Sequence, residues 1–432
     1  MKLVKFIVFL VVLQSFCFGQ SWVPQVNPSP GVMFSVYAYS SDVAWASGEY
    51  GKVLYTSNGG ATWFNRSNAI FDSSNVLSIH ALDANSAICV CYINGGKVFK
   101  STNQGLSWQT MYSRQSTVFN DIQFVNSTTG FVFGNPTPAD VRYYIIKTTN
   151  AGATFDTTSV ARPTAPNINA QIMSNATYLL QPGVGGPVYI WFGTNNGKVF
   201  FSTNTGTSWQ SGTPQSNDPV LSITFVTTLN GYAGAQNPFV SNNSGLGWSM
   251  QGTYPNTGKF FAFDNVSGQL FYSSGPSIYR STNGGATFQL QYTNPSNEDF
   301  RDLSFVYTAS DGPRSVINGW GVTGDGILAR YTDPIGIITI STNVPEGFSL
   351  EQNFPNTFNP VTSINFDIPK KGFVTLAVYD ALGNLIQTIH NGELSAGTYK
   401  GDFDGTGYAS GVYFYRLQAG EFVQTKKMIL TK

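Results

Sequence analysis

The chain has 432 residues, enough for two or more ordinary domains, and its 23 basic and 23 acidic side chains cancel. With no net field to draw phosphate, a nucleic-acid partner is not expected, and no basic amphipathic helix offers a membrane-surface contact. Only 11% of residues are charged, against roughly 25% in a typical soluble domain, while aromatics reach 15% and glycines number 45, which is the composition of an all-β, turn-rich protein.

Residues 1–19 read as a secretory signal peptide. Lys2 and Lys5 precede an apolar run over 6–16, and the small Gly19 suits the position before a cleaved bond. The run is too short to span a bilayer. Cys17 raises a lipidated alternative, against which Phe16 is too bulky for the residue preceding a lipidated cysteine. No later stretch has the length of a transmembrane helix, so the mature protein is expected to be soluble and exported.

From residue 21 a unit begins to repeat. The pattern Ser/Thr-x-Asn-x-Gly-x-Thr/Ser-Trp/Phe occurs at 56–63, 101–108, 148–155, 202–209, 241–248 and 281–288, with central asparagines 45, 47, 54, 39 and 40 residues apart. Each copy follows a short apolar strand such as Gly51-Lys52-Val53-Leu54-Tyr55, and two more strands lie upstream, so one unit holds about four strands, the content of a propeller blade. The turn residues are Asn58, Gly60 and Trp63; Asn103, Gly105 and Trp108; Asn150, Gly152 and Phe155; Asn204, Gly206 and Trp209; Asn243, Gly245 and Trp248; and Asn283, Gly285 and Phe288. Physically, the Asn side chain caps the turn, Gly takes a positive φ, and the aromatic packs between neighbouring blades. Gly247 replaces the usual Thr or Ser in the fifth copy and predicts a looser turn. The motif resembles the Asp-box, or BNR, repeat of sialidases, sortilin-type receptors and photosystem II assembly factor propellers.

A seventh unit, with strands near Leu303 to Tyr307, Gly319 to Val322 and Gly326 to Arg330, lacks its last strand, and Ser21-Trp22-Val23 matches the tail of a motif copy. The amino end is therefore expected to complete the seventh blade. The fold class predicted is all-β: a seven-bladed β-propeller over residues 21–332, with six and eight blades as the neighbouring counts, then a small antiparallel β-sandwich. The propeller and the sandwich are joined by a linker over 333–343.

Residues 344–432 differ in composition and carry alternating strands. Gln352-Asn353-Phe354-Pro355-Asn356-Thr357-Phe358-Asn359-Pro360, Tyr379-Asp380-Ala381-Leu382-Gly383, Ser410-Gly411-Val412-Tyr413-Phe414-Tyr415 and Lys426-Lys427-Met428-Ile429-Leu430 together resemble the type A C-terminal sorting domain of type IX secretion cargo. Thr357 departs from the family, which usually has Pro there. The resemblance implies engagement of the type IX translocon, with Gly411, Val412, Tyr413, Lys426 and Lys427 in the sorting signal. It also implies a protein secreted through the periplasm, either free outside the cell or attached to the outer-membrane surface.

Catalytic constellations are not apparent. Two-carboxylate glycoside hydrolysis has few candidates: Glu49 and Glu298 are the only glutamates between residues 21 and 332, beside scattered aspartates such as Asp121, Asp264, Asp299, Asp302 and Asp325. Neither an Arg-Ile-Pro opening nor an assignable arginine triad accompanies them. The cluster at 298–302 reads as a solvated connecting loop. His80 and His390 are the only histidines and are accompanied by no nucleophile elbow. Cys89 and Cys91, two apart on one strand, read as small buried thiols, with a strained redox pair as the alternative. Neutral Asn at every turn centre argues against calcium. The expectation is therefore no cofactor, no metal and no enzyme activity, and a propeller that binds an unidentified protein or glycan. The alternatives are a carbohydrate-active hydrolase or an assembly factor for an envelope complex. The most elaborate loops are expected around residues 135–142 and 163–176, and aromatics near Tyr254 to Phe261 are further candidates for stacking on sugars.

Overall fold

The computed structural model describes residues 22–214, 217–250, 260–266, 269–281, 285–309, 315–332, 338–341, 343–405 and 408–431. Residues 1–19, read as a signal peptide, and Tyr254 and Asn283 lie outside that set. The chain divides into two compact units, one spanning Ser21–Asp333 and the other containing Pro334–Lys432.

In the first unit the described residues form seven antiparallel sheets. Their inner strands are Met33–Ala38, Val76–Ala81, Phe119–Phe124, Ile172–Leu180, Ser222–Phe225, Phe260–Val266 and Phe300–Ala309. Each packs against the inner strand of the next sheet, and Phe300–Ala309 packs back against Met33–Ala38, so the series closes into a ring. Six of the seven carry a register shift near their start, where an extra residue bends and twists the strand. The core is divided into slabs between neighbouring sheets. In one, Trp45, Tyr55, Phe71, Phe99 and Trp108 interlock; in another, Trp191 stacks on Phe225 with ring centroids 3.9 Å apart.

The seventh sheet is completed from the amino end. Trp22–Gln25 pairs antiparallel with Leu328–Thr332, with Trp22 opposite Tyr331 and Gln25 opposite Leu328. Side chains then carry the seam over to the first sheet. Gln25 accepts from Trp63 Nε1 at 2.8 Å and donates to Gly59 O at 3.0 Å, and Arg330 donates to Ser41 O.

The four-strand expectation fails at the third sheet, which has three strands: Phe119–Phe124, Gly130–Gly134 and Tyr144–Thr148. After a single bridge to Lys147, Asp156 caps its own turn by accepting from Thr158 and Ser159 N–H, which bends the chain out of the ladder. It returns at Thr164, opposite Arg142, so two isolated bridges stand where a fourth strand would be.

The second unit is two four-stranded sheets around one core of Ile364, Phe366, Val374, Leu376, Tyr415 and Leu417. The expected linker needs correction here. Ile338–Ser341, a β-branched run, pairs with Gly397–Asp404 at the edge of one sheet, so this unit takes in residues read as a connector.

Candidate functional site

The recurrent turns are built alike. The first-position hydroxyl accepts from the Gly N–H at 2.9 Å at Gly60, Gly105, Gly152, Gly206, Gly245 and Gly285. The Oδ1 of Asn58, Asn103, Asn150, Asn204 and Asn243 accepts from the N–H four residues on, at 2.8–3.0 Å. At Asn103, Asn150 and Asn204 the amide also donates to the Ser or Thr at that position. At the fifth copy Gly247 N–H keeps its bond to Asn243; with no hydroxyl at Gly247, only the side-chain bridge is lost. All six glycines have φ between 77° and 94°. Their aromatics fill the slabs: Trp108 lies against Trp45 of the first sheet, and Phe155 against Tyr112 of the second. These turns direct their polar atoms inward and serve the scaffold.

The chemistry lies on the axis. Where the ladder resumes after each bulge, the inner strands place Ser35, Ser78, Asp121, Thr177, Ala262 and Asp302 at equivalent positions. Asp121, fully buried, accepts from Ser78 Oγ at 2.5 Å, Thr177 Oγ1 at 2.6 Å and Ile122 N–H at 2.8 Å, fastening the second, third and fourth sheets together. Asp302 accepts from Val36 N–H across the seventh-to-first junction and from Leu303 N–H, each at 2.9 Å. Of the stretch 298–302, expected as a solvated loop, Glu298 is exposed outside any strand, whereas Asp302 sits on an inner strand of the ring. Its side chain still meets the axial cavity. Burial raises both carboxyls above their usual range; hydrogen bonds oppose this at each, and the charge of Asp121 adds to it at Asp302.

Between Ile172 and Thr177 the fourth inner strand leaves its ladder, and Asn175, at φ 62°, reaches across the ring to donate to Phe34 O of the first sheet at 2.7 Å. Beside this strut lies a cavity of about 200 Å³ bordered by Tyr37, Gln123, Asn175, Tyr178, Asp302 and Phe305. His80 packs at a tilt against Tyr37 with centroids 3.9 Å apart and also meets Phe124; burial pulls its imidazole down to about 3, offset in part by a hydrogen bond with Gln123. The axial site drew only partial notice in the sequence, because Asp121 and Asp302 are separated by most of the ring and only the bulge register makes them equivalent.

His80 gives a pH prediction. Between 6.5 and about 3 the unfolded chain binds a proton at His80 that the folded chain refuses, so this residue's contribution to stability falls as pH falls. The raised carboxyls act oppositely: their contribution is full below the unfolded carboxyl range and is lost as pH rises through their folded values. The His80→Phe variant should therefore be more acid-resistant than the native chain, gaining roughly 2–3 kcal/mol on it between pH 7 and 4.5. Denaturant titrations at several pH values measure this; parallel curves for the two proteins would refute it.

Cys89 and Cys91 are both free and buried, and burial raises both thiols, Cys91 to about 12, so neither is a thiolate nucleophile at neutral pH. The loops around 135–142 and 163–176 meet where Ala165 N–H donates to Val141 O at 2.9 Å, and beside them Asp140 pairs with Arg142 at 2.8 Å and with Arg162 at 2.6 Å. Nearby, Arg162, Pro163, Phe200 and Trp209 border an open groove of about 410 Å³.

In the second unit, motifs about seventy residues apart are clasped. Asn353 is buried; its N–H donates to Tyr415 Oη, and its amide to Pro355 O and Thr362 Oγ1. The following segment covers the edge of Phe422–Leu430: Gln352 donates to Lys427 O, Asn356 accepts from Ile429 N–H, and Phe358 N–H donates to Ile429 O. Gly411, Val412 and Tyr413 pair with Leu430, Ile429 and Met428 of that strand, which also carries half-buried Lys426 and exposed Lys427. Residues 352–431 match the model of the secretion system C-terminal sorting domain. The C-terminal unit is such a domain.

The sorting domain marks the chain as type IX cargo, secreted or attached to the cell surface. Among the described residues, no helix is long and apolar enough to cross a membrane. No curated protein matches the chain. Among solved structures, that of YCF48 bound to D1 peptide is 15% identical at a TM-score of 0.53, covering 72% of this chain and 96% of its own. YCF48 from Cyanidioschyzon merolae is 16% identical at 0.52, covering 72% and 98%. The WD40 beta propeller domain of Doa1 is 9% identical at 0.51, covering 73% and 96%. At these identities the likeness establishes the fold: ahead of the sorting domain stands a β-propeller.

Proposed function

We propose that the propeller is an exported interaction module that captures a polypeptide partner at its axial cavity, the sorting domain delivering it to its place of action. The observation that carries this reading is the cavity itself. Close-packed cores leave few voids larger than a water, yet here about 200 Å³ stays open beside half-buried Tyr37, Tyr178 and Gln123. Mixed aromatic and polar walls of that kind suit recognition. Asp121 favours binding over glycoside turnover, because its oxygens are held by Ser78, Thr177 and Ile122 and are sealed from any substrate. The YCF48 structure with D1 peptide supports a peptide as the ligand class on this fold. Peptide and glycan arrays probed with the full chain test the reading. Selective capture of peptides is expected; capture of glycans alone, or hydrolysis of sialyl or β-glucan substrates, would replace it.

A further inference from the structure

Tyr37, Tyr178 and Phe305 bring three aromatic rings to the axial cavity, and each is only partly buried there. All three have one side committed to packing, Tyr37 on His80, Phe305 on Phe271 at 4.1 Å and Tyr178 against Trp191 and Phe225, which holds them in place without ligand. Asp302 supplies a carboxylate at the same wall. Its donors are the Val36 and Leu303 N–H groups and the Ser35 side chain, and among the described residues no ion pair is formed with either Asp302 or Asp121. Asn175 spends its amide N–H on Phe34 O, which leaves its carbonyl oxygen as an acceptor, and Ser304 Oγ accepts from Ala38 N–H at the same wall. The cavity thus offers ring surface, acceptors and a carboxyl group that an incoming cation would hold in its ionised form. It lacks a cation.

We propose that the axial cavity is a receptor for a protonated primary amine, with Asp302 as its counter-ion and Tyr37, Tyr178 and Phe305 around its alkyl stem. This rests on the interaction reading above and names the chemistry that the cavity would select. An ammonium ion satisfies all three offers together: it donates to carboxylate and carbonyl oxygens, is attracted by ring faces, and brings apolar methylenes that cover aromatic surface. The volume, equal to six or seven waters at about 30 Å³ each, accommodates a lysine stem and head. A neutral side chain of equal length would leave Asp302 uncompensated, so discrimination by charge follows from the geometry.

The test is calorimetric titration of the full chain with n-butylammonium, with Nα-acetyl-lysine methylamide and, as the neutral control, with Nα-acetyl-norleucine methylamide. Saturable binding of the lysine derivative and none of the norleucine derivative are expected. Butylammonium binding as well as the lysine derivative identifies the amine as sufficient; binding of the lysine derivative alone adds a requirement for the peptide backbone. D302N should weaken binding at least tenfold. Because Asp302 also takes two backbone N–H groups, Tyr178→Leu serves as a second variant: it should weaken binding several-fold in protein that circular dichroism shows to be fully folded at the titration temperature, although lost packing on Trp191 and Phe225 lowers its thermal midpoint. Equal binding of the norleucine derivative, no binding of either amine, or native affinity in both variants would overturn the proposal. Peptide capture on arrays that persists unchanged in both variants would sink this assignment while leaving the interaction module standing; no peptide capture at all would sink both.

Discussion

Replacing Trp22 by alanine should destabilise the propeller by about 3–5 kcal/mol, the range for deleting a fully buried large aromatic. Trp22 is completely enclosed, with ring centroids of Tyr292, Phe300, Phe305 and Tyr331 between 5.3 and 6.3 Å away. It is also the first residue paired across the seam, opposite Tyr331. Since stabilities of order 5–15 kcal/mol are usual, a loss of this size is a large share of the whole. Its indole N–H has no hydrogen-bond partner, so Trp22→Phe forfeits volume alone and should cost far less, about 1–2 kcal/mol. Denaturant unfolding followed by circular dichroism measures both. A Trp22→Ala protein as stable as the native chain would mean that the seam contributes nothing to holding the ring.

The second large effect should fall on export. Asn353→Leu removes the donors to Pro355 O and Thr362 Oγ1 and the acceptor for Gln352; of these partners Thr362, like Asn353 itself, is buried. Losing a partner at a buried polar group costs about 1–3 kcal/mol, and the segment over 352–358 would lose its hold on the edge of Phe422–Leu430. Asn353→Asp keeps the shape but not the donors, and should fail as well. The expected result is retention in the periplasm with loss from the medium and cell surface, read by fractionation and immunoblotting. Export of both variants at native levels would show that the clasp is not needed for sorting.

Much of the architecture was legible because its signals are local. Asn, Gly and a bulky aromatic at fixed offsets define a hairpin turn wherever they occur, and six copies reveal the repeat without any tertiary knowledge. The amino-terminal strand could be placed because Trp22 matches the aromatic of those copies. The third sheet escaped this logic: whether a fourth strand forms there depends on Asp156 turning its carboxylate onto its own backbone, a choice with no period. Ile338–Ser341 was hidden between Pro334 and Gly347, which punctuate it as a connector although its β-branched residues favour a strand. The axial site was the least visible. Asp302 belongs to a charged stretch that looks solvated in one dimension, and Asn175 meets Phe34 141 residues away.

The seam has a temporal meaning too. Its two strands stand about three hundred residues apart in the chain, so the circle cannot lock until nearly the whole propeller has emerged. Long-range closure of this sort is slow, and unpaired strand edges invite association while it is pending. For a cargo that crosses one membrane before meeting the next, the vulnerable interval is the stay between them, when proteases and neighbouring chains compete with self-closure for the same open edge.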